Sequence, residues 1–281
     1  MKRVAARARA ALSAALALAF PYMFFEAQWL RRVDCTVVLP DLAEQLDGLV
    51  IVQLSDMHVG FQPSLNLRAT RKAVAVAREV APDLIVITGD LVCGTGRLDQ
   101  LKAELATLSA PLGVYAVFGN HDHGETKTPG VPPVDFGDLS QVGVRMLVNE
   151  AVTVERQGAA VQLCGLDDWE HGYADLPAVL AQLDRRPTTL RLLLSHYAEA
   201  ALAASPGDFA LTLSGDTHGG QICLPWFGGR VMLSEPLAQF RDGLYQIDGR
   251  RLYVTRGIGT SFLPLRFLCR PEVVVFHLTR G

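Results

Sequence analysis

Carboxylates, imidazoles and one carboxamide recur along the chain in the same kind of place, at the polar end of a short apolar run. "LVIVQLSD" delivers Asp56 and then His58, and "DLIVITGD" delivers Asp90. "GVYAVFGN" delivers Asn120 followed by His121 and Asp122, "TLRLLLSH" ends in His196, and "FALTLSGD" ends in Asp216 with His218 two residues on. Oxygen and imidazole donors of this mixture suit divalent cations of borderline hardness such as Mn, Fe or Zn. Each match is weak by itself, because DxH and GD are common and a lone Ser-His after a strand is more often structural. Their order, each at a strand end, is what carries the reading.

The apolar runs are continuous and do not alternate, as strands covered on both faces require. Between them, "NLRATRKAVAVAREVAP" predicts a helix over 66–82 closed by Pro82, and a second helix is expected near 97–109. The sum is an α/β sheet with helical layers, in which ligands gather at the carboxyl ends of strands. "LYQID", "RLYVT" and "EVVVFHL" predict further, antiparallel strands in the C-terminal third. The Pro/Gly-rich stretch over 124–139 reads as a long functional or mobile loop.

At 281 residues and 49% hydrophobic content the chain can bury a substantial core. The net charge of -3 and the absence of a basic run after the first ten residues leave no footprint for a nucleic-acid backbone, so nucleic acid is excluded as a partner. The five cysteines, scattered singly and odd in number, read as small buried apolar residues, with no disulfide framework or zinc-finger spacing. His123 and His171 match no pattern and read as surface residues, and His277, inside a strand, as a packed one.

The N-terminal stretch differs in kind. Lys2, Arg3, Arg7 and Arg9 precede an uncharged run from Ala10 to Phe25, shorter than the roughly 20 residues that cross a bilayer squarely. It admits a cleaved signal peptide, a signal anchor or an interfacial helix, with Trp29, Arg31 and Arg32 placed as headgroup-level anchors. The expected organisation is a membrane-anchoring or targeting segment over 1–32 and one catalytic domain over 33–281.

In order and content, DxH, GD, GNHD, H and a near-GHxH resemble the calcineurin-like metallophosphoesterases. "GGQICLP" and "LYVTRGIGTSFLPLRFLCRPEVVVFHL" further resemble a membrane-associated bacterial branch that includes UDP-2,3-diacylglucosamine hydrolases of lipid A synthesis. The resemblance implies a layered β-sheet sandwich flanked by helices and a centre of two divalent ions, with Mn first and Fe or Zn as alternatives. Asp56, His58 and His218 would bind one ion, Asp90 would bridge, and Asn120 and His196 would bind the other. His121 would meet the leaving oxygen, with Asp122 orienting its imidazole; a tight turn is the competing use for Asp122. Asp216 stands where the family has the first histidine of GHxH. A carboxylate there keeps an oxygen donor but reaches less far than an imidazole tip, which puts the second ion in doubt.

The expected function is hydrolysis of a phosphodiester or pyrophosphate by a metal-activated hydroxide, with UDP-2,3-diacylglucosamine as the leading substrate. The alternatives are a broad phosphodiesterase or phosphatase on other envelope or phospholipid esters, and a catalytically silent metal-binding membrane scaffold. The expected partners are a phosphate-bearing small molecule or lipid and the membrane, with Trp226 and Phe227 able to meet acyl chains. A nucleotide-lipid substrate and unpaired cysteines point to the cytoplasmic face of the inner membrane, whereas a full span would place the domain outside. Oligomeric state cannot be read from the sequence.

Overall fold

The computed structural model describes residues 19–61, 63–94, 96–126, 130–226, 229–232 and 238–281, with backbone only at 63–64, 225–226 and 229–232. Two six-stranded sheets carry the fold. The first has the order β1 (Arg31–Val38), β14 (Glu272–Thr279), β2 (Leu49–Leu54), β3 (Leu84–Thr88), β4 (Val114–Val117), β5 (Val144–Met146). The second runs β12 (Gly243–Ile247), β13 (Arg250–Val254), β9 (Leu211–Ser214), β8 (Leu190–Leu194), β7 (Ala159–Gly165), β6 (Glu150–Arg156). A hairpin of β10 (Cys223–Trp226) and β11 (Gly229–Met232) lies outside both.

The period of two along each strand sorts side chains between layers. Leu49, Ile51, Leu84 and Val86 join Leu192, Leu194, Leu211, Leu213 and Phe276 in a core between the sheets. Val52, Leu54, Ile85 and Ile87 face outward, against α2 (Pro63–Val80) and α3 (Leu98–Leu105). Leu193 and Cys164 pack similarly beneath α4 (Leu176–Ala181) and α5 (Ala200–Ala203). The result is the expected sandwich of two sheets between helical layers. Phe276 is fully buried in the central core, with its ring edge-on to Tyr253 of the opposite sheet at 5.0 Å. Phe276→Ala is expected to cost about 3–5 kcal/mol of stability, measured as a shift in the urea midpoint with an unchanged slope.

The sequence-based strands appear where expected, and the second helix stops earlier, at Leu105. The C-terminal strands are not all antiparallel. β12–β13 and β14–β2 are, but β13 runs parallel to β9 and β14 parallel to β1. The long connection between β9 and β13 permits a parallel return, which a two-residue turn does not. The stretch at 124–139 is irregular but packed in part, with Phe136 buried and residues 127–129 outside the described set.

Arg31 and Arg32 are the first residues of β1, where they pair with Glu272 and Asp34. Residues 19–26 are helical (α1), and most of the run from Ala10 to Phe25 precedes the described residues. Among the described residues no helix is long and apolar enough to cross a membrane. Phe227 lies outside the described set, and nothing is described of the Trp226 side chain.

Candidate metal centre

Strands β2, β3 and β4 are mutually parallel, as are β8 and β9, so their carboxyl ends open on the same edge of the sandwich. The chain must turn sharply there without losing the side chains. Asp56, His58, Asp90, Asp216 and His218 all adopt left-handed backbone conformations, with φ between 44° and 73°. Non-glycine residues seldom do so, and such strain concentrates at functional sites. The glycines of the motifs make room. A Cβ on Gly119 would run into the Asp90 carboxylate, and one on Gly89 would stand 2.5 Å from His196 Nδ1.

Three overlapping groups of ligand atoms result, each within 4.8 Å: Asp56, His58 and His218; His58, Asp90 and His121; and Asp56, Asp90 and His196. Asp90 is the hub. Its Oδ2 lies 3.3 Å from both His58 Nε2 and His196 Nε2, while Oδ1 accepts from the backbone N–H of His121 at 3.0 Å. His58 Nε2 and His218 Nε2 approach to 2.9 Å, and His218 Nε2 is 3.5 Å from Asp56 Oδ1.

The donor set fits divalent cations. Asp56 Oδ2, Asn120 Oδ1 and His196 Nε2 are buried with no hydrogen-bond partner, which native interiors seldom tolerate unless something else satisfies the group. Their other atoms are anchored. His196 Nδ1 donates to the Thr88 carbonyl at 2.8 Å, leaving Nε2 as a lone-pair donor, and Asn120 Nδ2 donates to the Glu125 carbonyl. Asp216 stands at the rim, with Oδ1 3.8 Å from His196 Nε2 and outside the three groups.

Burial and mutual charge set the proton affinities of these groups. Burial pushes the Asp56 carboxyl up to about 6. Burial also opposes the ionised Asp90, but the nearby His196, His121 and His58 more than offset it and hold that carboxyl well below its usual range. Burial is the largest single effect on His196 and lowers it, but Asp90, Asp56 and Asp216 together outweigh it, so His196 is held well above its ordinary value. Burial drives His58 down to about 3 and His218 well down, so neither carries a proton that a metal must displace. Metal uptake therefore competes with one proton on His196 near pH 7, and with a second on Asp56 below about pH 6. Mn affinity is expected to fall as pH falls, by up to about a decade per unit from pH 7 at the site that includes His196 and by a similar slope below about pH 6 at the site that includes Asp56. Calorimetric titrations at pH 5, 6 and 7 check this, and equal affinities across that range would refute it.

Around His121 the structure departs from the sequence reading. Both Asp122 oxygens are engaged by the backbone, accepting from Val92 N at 3.1 Å and Gly119 N at 2.9 Å. The tight-turn use is the one the geometry displays. His121 Nδ1 instead lies 3.3 Å from Cys93 Sγ. Cys93 is half-buried beside the site, and with Cys35 it departs from the buried reading of the cysteines, which Cys164, Cys223 and Cys269 fulfil. Burial pushes the Cys93 thiol up to about 11, so it stays protonated.

Other histidines also differ from expectation. His123 is half-buried, with Nε2 2.6 Å from Asp167 Oδ1 and its ring stacked on Tyr173. His277 is half-exposed beside Asp34 rather than packed, whereas His171 is exposed as expected and paired with Asp168.

Several supporting residues escaped the sequence reading. Arg266, fully buried, donates to the carbonyls of Arg256, Gly259 and His218, and its Nη2 lies 3.3 Å from His218 Nδ1. Asn66 of α2 donates to the carbonyls of His58 and Thr260, tying the first ligand loop to a C-terminal one. Gln53 bridges the sheets below the site, donating to Thr88 Oγ1 and the Ser214 carbonyl. Their signal was faint, a buried-type position filled by a polar residue. Above the centre opens a cavity of about 630 Å³, lined by Asp90, Asn120, His121, Asp216 and His218 and, on its apolar side, by Ile222, Phe262 and Leu263.

Residues 49–220 match the model of the calcineurin-like phosphoesterase family. The chain is 32% identical to an uncharacterized metallophosphoesterase (YkuE) of Bacillus subtilis over 91% of its own length and 87% of the relative's. It is 31% identical to a phosphodiesterase (YaeI) of Escherichia coli, over 81% of each. It is also 28% identical to a UDP-2,3-diacylglucosamine pyrophosphatase (LpxG) of Chlamydia trachomatis, over 90% of each. With strand-end ligands on a two-sheet sandwich and a family match across most of the catalytic motifs, the chain belongs to the calcineurin-like phosphoesterases.

Proposed function

We propose that the protein is a phosphohydrolase working with two divalent ions, and that its substrate is a phosphodiester or pyrophosphate on a lipid, UDP-2,3-diacylglucosamine first among the candidates. The observation that carries the two-ion reading is the sharing of Asp56, His58 and Asp90 among overlapping ligand groups, with buried oxygens on Asp56 and Asn120 that have no hydrogen-bond partner. Asp56, His58 and His218 would hold one ion and Asn120 and His196 the other, with Asp90 between them and Asp216 completing the second set from the rim. Bound ions of this kind neutralise phosphoryl charge and lower the pKa of a water.

The chain's own residues do the rest. His121 faces the cavity beside Asp90 and is placed to give a proton to a leaving oxygen, its ring steadied by Cys93 Sγ and edge-on by His58 at 4.5 Å. The apolar side of the cavity suits acyl chains, and the likeness to a UDP-2,3-diacylglucosamine pyrophosphatase supports that substrate class. The likeness to a phosphodiesterase favours, as a second reading, a broader specificity for phosphodiesters.

Phosphorus NMR of the Mn-loaded protein with UDP-2,3-diacylglucosamine tests the choice. UMP and a lipid monophosphate are expected. Rapid turnover of bis(p-nitrophenyl) phosphate with an untouched glycolipid would select the second reading. Silence on both would return the protein to the scaffold class.

A further inference from the structure

Among the described residues, the two most exposed large apolar side chains, Phe262 and Phe20, belong to a C-terminal loop and to the N-terminal helix that packs on it. On α1 and just after it, Phe20, Tyr22, Phe24, Phe25 and Trp29 are exposed, Phe20 by 62% and Phe25 by 58%. Only Glu26 and Ala27 are buried there. The exposed positions of α1 hold no charged residue, the reverse of a surface helix facing water.

The inner side of α1 grips the loop over 260–270. Arg266 N donates to the Met23 carbonyl at 3.0 Å, and the Glu26 carboxylate accepts from Leu268 N and Cys269 N. Tyr22 meets Phe267 edge-on at 6.0 Å. The same loop reaches the cavity, where Phe262 and Leu263 line the mouth. Gln221 fastens it there, donating to the Leu263 carbonyl and accepting from Ser261 N. Phe262 is 76% exposed and, like Leu268, adopts a left-handed backbone, with φ of 60° and 52°. A bulky aromatic held out to solvent at a cost in backbone strain needs a partner to justify it.

We infer that α1 and the loop over 260–268 form one membrane-docking face, which sets the cavity mouth against a lipid bilayer so that a lipid-borne phosphate ester enters from the bilayer. The chain itself argues for lipid over a second copy of the protein. The sequence leading into α1 is uncharged from Ala10 onward and is preceded by Lys2, Arg3, Arg7 and Arg9, the composition of a segment that sits at an anionic bilayer surface. At the other edge of the face the Arg270 guanidinium lies 3.9 Å above the Trp29 ring, a pair suited to headgroup depth. The docking rests on the lipid-substrate reading only for its activity test.

The face can be mapped by placing p-benzoylphenylalanine at position 25, 262, 268 or 38 of the full chain. The protein is then mixed with phosphatidylethanolamine–phosphatidylglycerol vesicles carrying radiolabelled acyl chains and irradiated. Val38, exposed at the far end of β1, is the control. Lipid adducts are expected at 25, 262 and 268 and not at 38. Labelling at 25 without labelling at 262 would mean that the N-terminal segment anchors the chain while the mouth stays in water, and would overturn the inference. Adducts to a second copy of the chain in place of lipid would overturn it in favour of a dimer face.

For activity, the double variant Phe25→Ser, Leu268→Ser is expected to lose about tenfold on a vesicle-borne substrate and nothing on a soluble diester. Equal loss on both would mark a structural role and count against the inference. A protein that hydrolyses neither substrate would instead sink the proposed function, leaving the lipid adducts to decide the docking.

Discussion

Asp90→Ala is expected to remove turnover and metal binding together, with activity on a soluble diester falling by at least about 10³-fold. Changes that merely misorient a ligand cost about 10–100-fold, and Asp90 belongs to two ligand groups at once. Its loss also leaves His58 and His196, each 3.3 Å from the missing oxygen, without their shared anion. The metal-free variant should therefore show His196 titrating lower than in the parent, because Asp90 is the chief group raising it. Elemental analysis together with NMR titration of the histidine ring protons checks both halves. A variant that keeps two ions per chain would refute the assignment of Asp90 as the bridge.

His121→Gln is expected to separate chemistry from metal binding. The side chain lines the cavity and its backbone N–H holds Asp90, a bond the substitution retains. Loss of a general acid costs about 10²–10⁴-fold in rate, with metal content unchanged. The loss should depend on the leaving group, since a nitrophenolate departs without help and an alkoxide does not. A series of aryl and alkyl diesters should therefore lose little at the acidic end and most at the basic end. A uniform loss across the series would assign His121 to positioning or to metal binding, where its membership of a ligand group with His58 and Asp90 would place it.

Much of this architecture was legible in the sequence because the same residues serve two purposes. "LVIVQLSD" and "DLIVITGD" read as strands because continuous Val, Ile and Leu demand burial on both faces, and they read as ligand carriers because each run ends in a carboxylate. Once the strands are parallel, convergence of their ends follows. What could not be read were features that depend on distant parts of the chain. Cys93 follows Asp90 by three residues, yet its importance lies in contact with His121 across a loop. Arg266 carries no motif, and only the folded chain shows that its guanidinium is spent on carbonyls around the His218 turn. The hairpin of β6 and β7 also escaped the sequence reading: Gln157-Gly158 takes the two positive φ values of its tight turn without the Asn-Gly or Asp-Gly that would announce one. Asp122 was open to two uses, and the geometry displays the backbone one. Asp216 remains the instructive position. Its carboxylate stands at the rim, with Oδ1 3.8 Å from His196 Nε2.

Titration of the metal-stripped protein with Mn, following hydrolysis of bis(p-nitrophenyl) phosphate against equivalents added, tests the two-ion account most directly. Activity is expected to stay low through the first equivalent, filled at Asp56, His58 and His218, and to rise to its plateau with the second, weaker one. Full activity at a single equivalent, or a plateau unaffected by Asp216→Ala, would contradict a working second site completed by that carboxylate.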